Sequence, residues 1–560
     1  MTSQRSFMSR FVPPRDWQSW LWLLPLFALT AWIFWPVTAG DFVADDYVFL
    51  ATGRMVDTPL AVFWQSHFYE PYYFRPLGVL SWWVATRLFG LDYAAHSLIN
   101  LALHGLNGGL LFALMRVLAL RPIAALAGVS LFMLGPFAVA AMLWPSNRFD
   151  LLAVGFLLIQ AIAMHYALRG SVAATVLAAM GALAACWGKE LAYPVATTLA
   201  CFALLARDVS WRRRLTLFVA LGGAISLAFL VRHAVLADAY ALTATDPLGR
   251  VLRGSIAMAV TLPRLVSLIA GDAGGAATMA LMAGSALILL AAWVQIACAK
   301  PIIAHRTNSA DARLLGGVCL VWLAAFVVQT PLAAAFAPMA DGAVFGTVSF
   351  ARFYYAPWAA TCVLVAVSVS FVCRSSRACA GALVLAIAGI AVVAGIGSRK
   401  LVESFAAWTQ AEVRPVAMAA TTVTEQVATG ADGLGCVVVL LGSEVNHPYF
   451  RMFSDVTVKA RTVAPNAVWR CHVMTERTPW LFAFPMSVAP MELPLRRVPD
   501  FGGKQKADSM WGGIRYRYRL PVADIAALPD ARFFDWYEGR FVEVTEAVRR
   551  GERKVALQDW

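Results

Sequence analysis

The sequence predicts an α-helical polytopic membrane protein with about 11 transmembrane helices, followed by a small water-soluble domain of α/β or α+β type. One observation is composition: 60% of the 560 residues are hydrophobic and 14% are charged. The apolar residues form repeated runs of about 18 or more, which is the length that spans a bilayer. The other is charge distribution, because about half of all charged residues follow Ser398. We therefore divide the chain into a membrane domain, 1–398, and a C-terminal domain, 399–560.

The basic linkers between the apolar runs predict the orientation. The predicted spans are 20–37, 93–118, 122–144, 149–168, 171–187, 191–206, 215–236, 276–299, 314–336, 353–372 and 380–397. With a cytoplasmic N-terminus, every strongly basic linker falls on the inner side, as the positive-inside rule requires. The net charge of +13 then reflects orientation and does not indicate nucleic acid. The C-terminal domain is then expected on the periplasmic side of a bacterial inner membrane.

The first outer loop, about 40–91, contains the most concentrated acidic residues next to a span. Asp41, Asp45 and Asp46 fall within six residues, and carboxylates of this density belong at a membrane face, not in lipid. Proline after Arg75 predicts the start of a helix over 74–90. Its apolar face predicts an interfacial position, with Trp82-Trp83 at headgroup level.

Four polar clusters fall at the outer ends of helices and mix both signs of charge. They are Asp45-Asp46 with Glu70 and Arg75, Ser146-Asn147-Arg148 with Asp150, Lys189-Glu190, and Arg352 with Tyr354-Tyr355. A carboxylate there can act as general base on an acceptor hydroxyl, and cations can stabilise a leaving phosphate. This combination indicates sugar transfer from a polyprenyl-phosphate donor at the membrane–water boundary.

Each cluster also has a structural interpretation that the sequence leaves open. The acidic pair can be solvated, Arg75 can be a snorkelling anchor, and Arg148 with Asp150 can form a local ion pair. The cluster at Arg352 fits an interfacial anchor belt. His96 and His104 indicate buried, hydrogen-bonded side chains rather than metal ligands.

The pattern changes after Ser398. Residues 435–443, 467–475 and 514–520 have the composition of strands, and 418–427 is weakly helical. Cys436 and Cys471 fall in this part. They can form a disulfide in the periplasm or remain two buried thiols.

Six segments, in this order, resemble the C-type (GT-C) glycosyltransferases, including bacterial members and the transmembrane-and-tetratricopeptide-repeat O-mannosyltransferases. They are DDYVFL (45–50), FRPLGVLSW (74–82), LINLALHGLNGGLLF (98–112), GPFAVAAMLWPSNRFDLLA (135–153), WGKELAYP (187–194) and ARFYYAPW (351–358). The resemblance covers about residues 40–360. It implies a GT-C-like fold, a polyprenyl-phosphate sugar donor and transfer with inversion of configuration.

The resemblance also implies roles for individual residues. Asp45 is the general base, and Asp46 supports the acceptor or a cation, so a divalent cation near this pair is left open while no other cofactor is expected. The cations implied to contact the donor phosphate or to order the site are Arg75, Arg148, Lys189 and Arg352. The residues implied to support them are Glu70, Asp150, Glu190 and Tyr354.

Two departures from the family pattern limit the resemblance. The family's HPxHxE motif is here GPFAVA, so its histidines and glutamate are replaced by Gly135, Ala138 and Ala140. There are also no tetratricopeptide repeats, which leaves a lipid, a glycan or a protein as the acceptor.

The alternative functions are a polymerase or ligase of undecaprenyl-diphosphate-linked glycans and a transporter. A transporter would place ionisable residues at mid-span, where these spans have almost none.

Overall fold

The described residues form a bundle of apolar helices followed by two small sheets. The structure, a computed structural model, describes residues 18–43, 46, 49–50, 53, 58–64, 74–206, 209–236, 249, 251–259, 317–321, 323–329, 351–375, 377–430, 436–442, 471–475, 480–483, 516–519, 526 and 531–554. Its α-helices are α1 (Gln18–Leu21), α2 (Leu23–Phe34), α3 (Pro76–Phe89), α4 (Tyr93–Val117), α5 (Pro122–Leu134), α6 (Ala138–Leu143), α7 (Arg148–Leu168), α8 (Val172–Gly188), α9 (Ala192–Leu205), α10 (Trp211–Leu236), α11 (Tyr355–Ser375), α12 (Arg377–Trp408), α13 (Arg414–Gly430) and α14 (Thr545–Arg549).

The described helices agree with the predicted membrane domain. Six are long and apolar enough to cross a membrane, namely Gln18–Ala39, Tyr93–Val117, Pro145–Leu168, Trp211–Leu236, Arg352–Cys373 and Ala378–Ala420. Shorter apolar helices cover Pro122–Leu134, Val172–Gly188, Ala192–Leu205 and Gly317–Gln329. Ten of the eleven predicted spans thus overlap with described helices, while span 276–299 lies outside the described residues. The number of spans therefore stays a prediction.

The predicted continuous span 122–144 is wrong, because the helix breaks at Gly135. Residues before proline favour extended backbone, and Gly135, which precedes Pro136, has ψ 163°. The piece before the break, α5, has 13 residues, or about 20 Å at 1.5 Å per residue, against about 30 Å of hydrocarbon. The chain continues in α6 and a 3-10 turn, Pro145–Asn147.

A second break follows at the end of α6, and side chains satisfy backbone carbonyls around it in the apolar interior. The amide nitrogen of Asn100 donates to the carbonyls of Ala141, Trp144 and Pro145 at 3.1, 3.3 and 3.3 Å. The hydroxyl of Tyr93 donates to the carbonyl of Leu143 at 3.3 Å. Irregular backbone at membrane depth is tolerated only with such partners, so the polar residues of α4 make the break possible.

A second buried polar group links α4 to α11 deeper in the bundle. His104 Nδ1 and the hydroxyl of Tyr355 are 2.8 Å apart, and the amide nitrogen of Asn107 lies 3.2 Å from the same hydroxyl. His104 Nε2 is 3.2 Å from the carbonyl of Met133, near the end of α5. The prediction that His96 and His104 are buried and hydrogen-bonded is confirmed.

The predicted helix after Arg75 is confirmed as α3, but the predicted headgroup position of Trp82 is wrong. Trp82 has no exposed surface and stacks on the ring of His96, with centroids 5.0 Å apart. The guanidinium of Arg148 lies 4.7 Å from the centroid of the Trp82 ring, so this ring contacts a cation and a histidine inside the protein.

The C-terminal domain contains two small sheets, and its predicted strands are confirmed. The strands are β1 (Cys436–Leu441), β2 (Cys471–Thr475), β3 (Trp480–Ala483), β4 (Tyr516–Arg519), β5 (Ala531–Tyr537) and β6 (Arg540–Glu543). The four-stranded sheet has the order β2-β1-β5-β6, in which only β6 is antiparallel. Strands β3 and β4 form an antiparallel pair. Cys436 and Cys471 are register partners on β1 and β2, and the choice between a disulfide and two thiols stays open.

One helical column joins the two domains. The last predicted span ends at 397, but α12 runs to Trp408 and continues through a π-helical turn, Thr409–Val413, into α13. The 398/399 boundary therefore lies within a helix. The amide of Asp41 donates to Thr409 Oγ1 at 3.2 Å, and Arg414 Nε lies 3.8 Å from Asp41 Oδ2. These contacts attach the start of the first outer loop to the column.

We expect Asn100→Leu to destabilise the protein by about 1–3 kcal/mol, because the carbonyls near the break and the donor from Arg148 lose a buried partner. Thermal unfolding in detergent measures the effect as a lower midpoint. Leu106→Ala is the matched control, since Leu106 is on the same helix and 56% exposed. Equal midpoints for Asn100→Leu and the wild type would contradict this account of the break.

Candidate functional site

The predicted site residues that the structure describes form one connected cluster. Asp46, Arg75, Arg148, Asp150, Lys189, Glu190, Arg352 and Tyr354 are described, whereas Asp45 and Glu70 lie outside the described residues. Apart from Asp46, these residues lie at or beside the helix ends that the span count assigned to the outer face.

Asp46 attaches the first outer loop to the turn after the helix break. The residue is fully buried. Its Oδ2 accepts the amide of Val43 at 3.0 Å, and its Oδ1 accepts both the amide and the hydroxyl of Ser146, at 2.9 and 2.5 Å. These donors fix Asp46 beside Ser146 and so hold the chain on either side of it.

Arg148 joins three elements from a fully buried position. Its Nε donates to Asn100 Oδ1 at 3.1 Å, its Nη2 to the carbonyl of His96 at 3.1 Å and its Nη1 to the carbonyl of Ser81 at 3.4 Å. The guanidinium also lies 4.7 Å from the ring centroid of Trp82. Acceptors from α3 and α4 thus surround the guanidinium, and these contacts order the site.

Lys189 and Asp150 form a close buried ion pair. Nζ of Lys189 lies 2.5 Å from Oδ2 of Asp150, and the two side chains are 8% and 3% exposed. Lys189 caps the end of α8 in an extended conformation, and Asp150 lies in the first turn of α7. The pair therefore joins the end of α8 to the start of α7, and the two helices pack along their length.

Glu190 uses its two carboxylate oxygens for two different arginines. Its Oε2 lies 2.8 Å from Nε and 2.7 Å from Nη2 of Arg75. Its Oε1 lies 3.0 Å from Nη1 of Arg232 on α10. Sequence reasoning missed Arg232, although a cation inside an apolar span is itself a signal that a buried acid lies nearby.

Close packing of α3 on α7 brings Arg75 to this cluster. A Cβ atom at Gly78 would overlap with the ring of Phe149, so only glycine allows this approach. The guanidinium of Arg75 lies 5.4 Å from the same ring centroid. The aromatic face thus borders the cation while Glu190 binds it.

Arg352 lies at the start of α11, in a 3-10 turn, Arg352–Tyr354. Its guanidinium carbon is 5.1 Å from the ring centroid of Trp144, the residue before the Pro145–Asn147 turn. Tyr354 is buried, donates its hydroxyl to the carbonyl of Met258 and packs on Phe137 with centroids 4.9 Å apart. Tyr354 therefore fixes the turn that presents Arg352.

The pKa values of Lys189 and Glu190, which lie between α8 and α9, reflect these surroundings. Burial lowers the pKa of Lys189 to about 8; Asp150 opposes this shift, and the charges of Arg75 and Arg352 add to it. Burial alone would raise the pKa of Glu190, but the charges of Arg75 and Arg232 outweigh it and lower the pKa to about 2. Arg75 and Arg352 thus both act electrostatically on Lys189.

The cluster is rich in cations. Among the described residues its charged members are Arg75, Arg148, Lys189, Arg232 and Arg352 with Asp46, Asp150 and Glu190. Positioned cations stabilise an anionic group that binds beside them.

The described residues do not form a cation site near Asp46. No group of three or more histidine, cysteine or acidic side chains is placed to hold a metal among the described residues. Both oxygens of Asp46 accept hydrogen bonds from Val43 and Ser146. A cation near Asp45 and Asp46 stays a prediction, and no step below depends on it.

No family model matches this sequence, and no curated protein matches it. Among solved structures, the chain is similar to ArnT from Cupriavidus metallidurans. With undecaprenyl phosphate bound, ArnT has 13% identity and a TM-score of 0.44, over 80% of this chain and 89% of ArnT. In the apo state the values are 14% and 0.42, over 89% of this chain and 98% of ArnT.

The chain is also similar to the archaeal oligosaccharyltransferase AglB from Archaeoglobus fulgidus, in complex with an inhibitory peptide and a dolichol-phosphate. Here the identity is 14% and the TM-score 0.40, over 81% of this chain and 64% of AglB. Because all three TM-scores are below 0.5, these similarities carry no conclusion about what this chain binds or transfers.

We expect the ion pairs of Glu190 to stabilise the fold at neutral pH and to lose this effect in acid. A carboxylate whose pKa falls from 4.5 to about 2 on folding contributes about 3 kcal/mol above pH 4.5, and this contribution disappears as the pH falls towards 2. Glu190→Gln should therefore lower the unfolding midpoint at pH 7, with a difference from the wild type that shrinks between pH 4.5 and 3.

The matched control is Glu403→Gln, which breaks an exposed i,i+4 pair with Arg399. Such a pair contributes at most about 1 kcal/mol. The experiment compares the unfolding midpoints of the wild type and Glu190→Gln. A difference between them that does not change with pH would show that the charge of Glu190 is not what stabilises the cluster.

Proposed function

We propose that this protein is an integral membrane glycosyltransferase that transfers a sugar from a polyprenyl-phosphate donor to a cell-envelope acceptor. The observation that carries the proposal is the connected cluster of buried charged residues around Lys189, Glu190 and Asp46. It joins segments more than 300 residues apart at the predicted outer ends of the helices. The sequence resemblance to C-type glycosyltransferases supports glycosyl transfer as the reaction.

The cations of the cluster fit the phosphate of the donor. As the sugar leaves, negative charge develops on this phosphate, and positioned cations stabilise it with little reorganisation. Arg75, Lys189 and Arg352 are the proposed contacts, because they lie in one electrostatically coupled group. Arg148 is enclosed by α3 and α4 and orders the site, the second of the two roles that the resemblance implies.

Asp45 is the proposed general base. It accepts the proton of the acceptor hydroxyl as that oxygen attacks the anomeric carbon, and the bond from this carbon to the phosphate oxygen breaks. Attack from the side opposite the phosphate inverts the configuration. The neighbouring Asp46 is fixed on Ser146, so its role is to hold the segment that carries Asp45.

An apolar cavity provides space for a hydrocarbon chain. It has a volume of about 670 Å³ and is lined entirely by apolar residues, among them Val154, Leu157, Leu199 and Ala356. Val154 lies one helical turn after Asp150, and Ala356 lies one turn after Arg352. The cavity thus begins one turn beyond the charged cluster, where the chain of a lipid-borne donor would enter the helix bundle.

The acceptor is a lipid, glycan or protein of a bacterial cell envelope, and the reaction takes place on the periplasmic face of the inner membrane. In this orientation the N-terminus is cytoplasmic and the C-terminal domain periplasmic, where it can contact the acceptor. The basic linkers support this orientation through the positive-inside rule.

We expect Asp45→Asn to abolish sugar transfer, because an amide cannot accept the proton. Deletion of the gene should change the envelope glycans, and mass spectrometry should show that the wild-type gene restores them. The Asp45→Asn gene should restore at least about 100-fold less of the transferred sugar. Asp57→Asn removes another carboxylate from the same loop and should restore them. Full restoration by Asp45→Asn would exclude Asp45 as the base.

We expect alkaline phosphatase fused after residue 430 to be active, because the enzyme requires the periplasm. The fusion point follows α13, since a fusion at 398 would interrupt a helix. A reporter that is active only in the cytoplasm serves as the reciprocal control. An inactive phosphatase together with an active cytoplasmic reporter would reverse the proposed orientation.

A further inference from the structure

Thr409 is a fully buried polar residue in the π-helical turn that joins α12 to α13. Its hydroxyl donates to the carbonyl of Ala406 at 3.0 Å and accepts the amide of Asp41 at 3.2 Å. A threonine hydroxyl has one hydrogen and two lone pairs. Because the hydrogen is directed to Ala406, the hydroxyl is held in the orientation in which it accepts from Asp41.

The π-helical turn determines how the column contacts the loop and the sheet. The amide of Arg414 donates to the carbonyl of Thr409, which is five residues earlier instead of the four of an α-helix. The extra residue rotates α13 by about 100° relative to α12. Thr409 contacts the loop within the turn, and α13 packs on β1, β2 and β6 beyond it. The turn therefore sets the angle between the contact with the loop and the contact with the sheet.

The loop segment that begins at Asp41 is also held at its other end. The amide of Asp46 donates to the carbonyl of Val43 at 3.1 Å, and the amide of Val43 donates to Asp46 Oδ2 at 3.0 Å. Oδ1 of Asp46 accepts the amide of Ser146 at 2.9 Å. The column thus holds one end of the segment and the turn before α7 holds the other, and Asp45 lies between these two ends in sequence.

We propose that Thr409 is a positioning residue for Asp45. By fixing the amide of Asp41, its hydroxyl sets the direction in which the loop leaves the first span, and with it the place of the base beside the acceptor hydroxyl. A general base acts only within hydrogen-bond reach of the proton that it accepts. This inference rests on the proposed function, in which Asp45 is the base.

The proposal separates the rate of transfer from the binding of the donor phosphate. The proposed phosphate contacts, Arg75, Lys189 and Arg352, lie at the ends of α3, α8 and α11. Thr409 instead contacts the segment that leads to the base. Loss of its hydroxyl should therefore slow the transfer of the sugar and leave the affinity for the phosphate unchanged.

The test compares Thr409→Val with the wild type in the full-length protein. Valine has about the volume of threonine but cannot accept the amide of Asp41. After induction in the deletion strain, mass spectrometry should show that the transferred sugar appears about tenfold more slowly per molecule of protein, because misplaced catalytic groups lose rate. The Kd of the purified protein for undecaprenyl phosphate should not change.

Two control variants separate positioning from stability. Thr409→Ser keeps the hydroxyl and should restore most of the wild-type rate. Ser398→Ala removes another fully buried hydroxyl from α12, one without a hydrogen-bond partner among the described residues, and should leave the rate unchanged. A loss of rate in Ser398→Ala as large as that in Thr409→Val would overturn the proposal, because any change inside the helix would then suffice.

The remaining outcomes are equally decisive. If Thr409→Val does not purify as a monodisperse protein, Thr409→Ala replaces it, since the smaller side chain cannot crowd the loop. A wild-type rate in the variant that is measured overturns the role of Thr409, and so does an equal loss of rate and of phosphate affinity. If the wild-type gene restores no envelope glycan, the proposed function itself fails, whatever the variants of Thr409 do.

Discussion

The amide of Asn100 is the group on which the geometry of the site depends. Its nitrogen donates to three carbonyls around the end of α6, and its oxygen accepts Nε of Arg148. An apolar bundle offers no water to satisfy broken backbone, so the chain can leave its helical course only where such a side chain lies opposite. The turn so formed carries Ser146, which binds Asp46, and leads into Asp150, which binds Lys189. One amide on α4 thus makes possible the contacts of two predicted clusters.

The fold was predictable because lipid imposes a strong constraint on sequence. Apolar runs of the required length and basic inner linkers identified the helices described here, and alternating or β-branched segments identified β1, β2 and β4. The failures have local physical causes. The break after α6 depends on Asn100 and Tyr93 of α4, which are 41 to 50 residues away in sequence, and a short window of sequence does not contain such partners. The extension of α12 beyond 397 was missed because polar residues end a span, although they do not end a helix.

One turn of the C-terminal domain was also missed. Strands β5 and β6 meet at Glu538 and Gly539, both with positive φ, as a two-residue hairpin turn requires. The segment from Ala531 to Glu543 contains this signal, and we did not predict it. In the site, the predicted residues that the structure describes lie together, but the sequence could not show that Glu190 binds two arginines. It also could not show that Arg148 is enclosed, because burial depends on the packing of α3 and α4.

The helix column from Arg377 to Gly430 has a consequence for how the protein can be engineered. Asp41, at the entry to the first outer loop, binds Thr409 within that column and lies close to Arg414, and α13 packs on β1, β2 and β6. The two parts of the chain are therefore not interchangeable modules. A chimera joined at the change in composition near 398 would cut the column between the bundle and its anchor, whereas a junction beyond 430 would keep the loop entry on its native support.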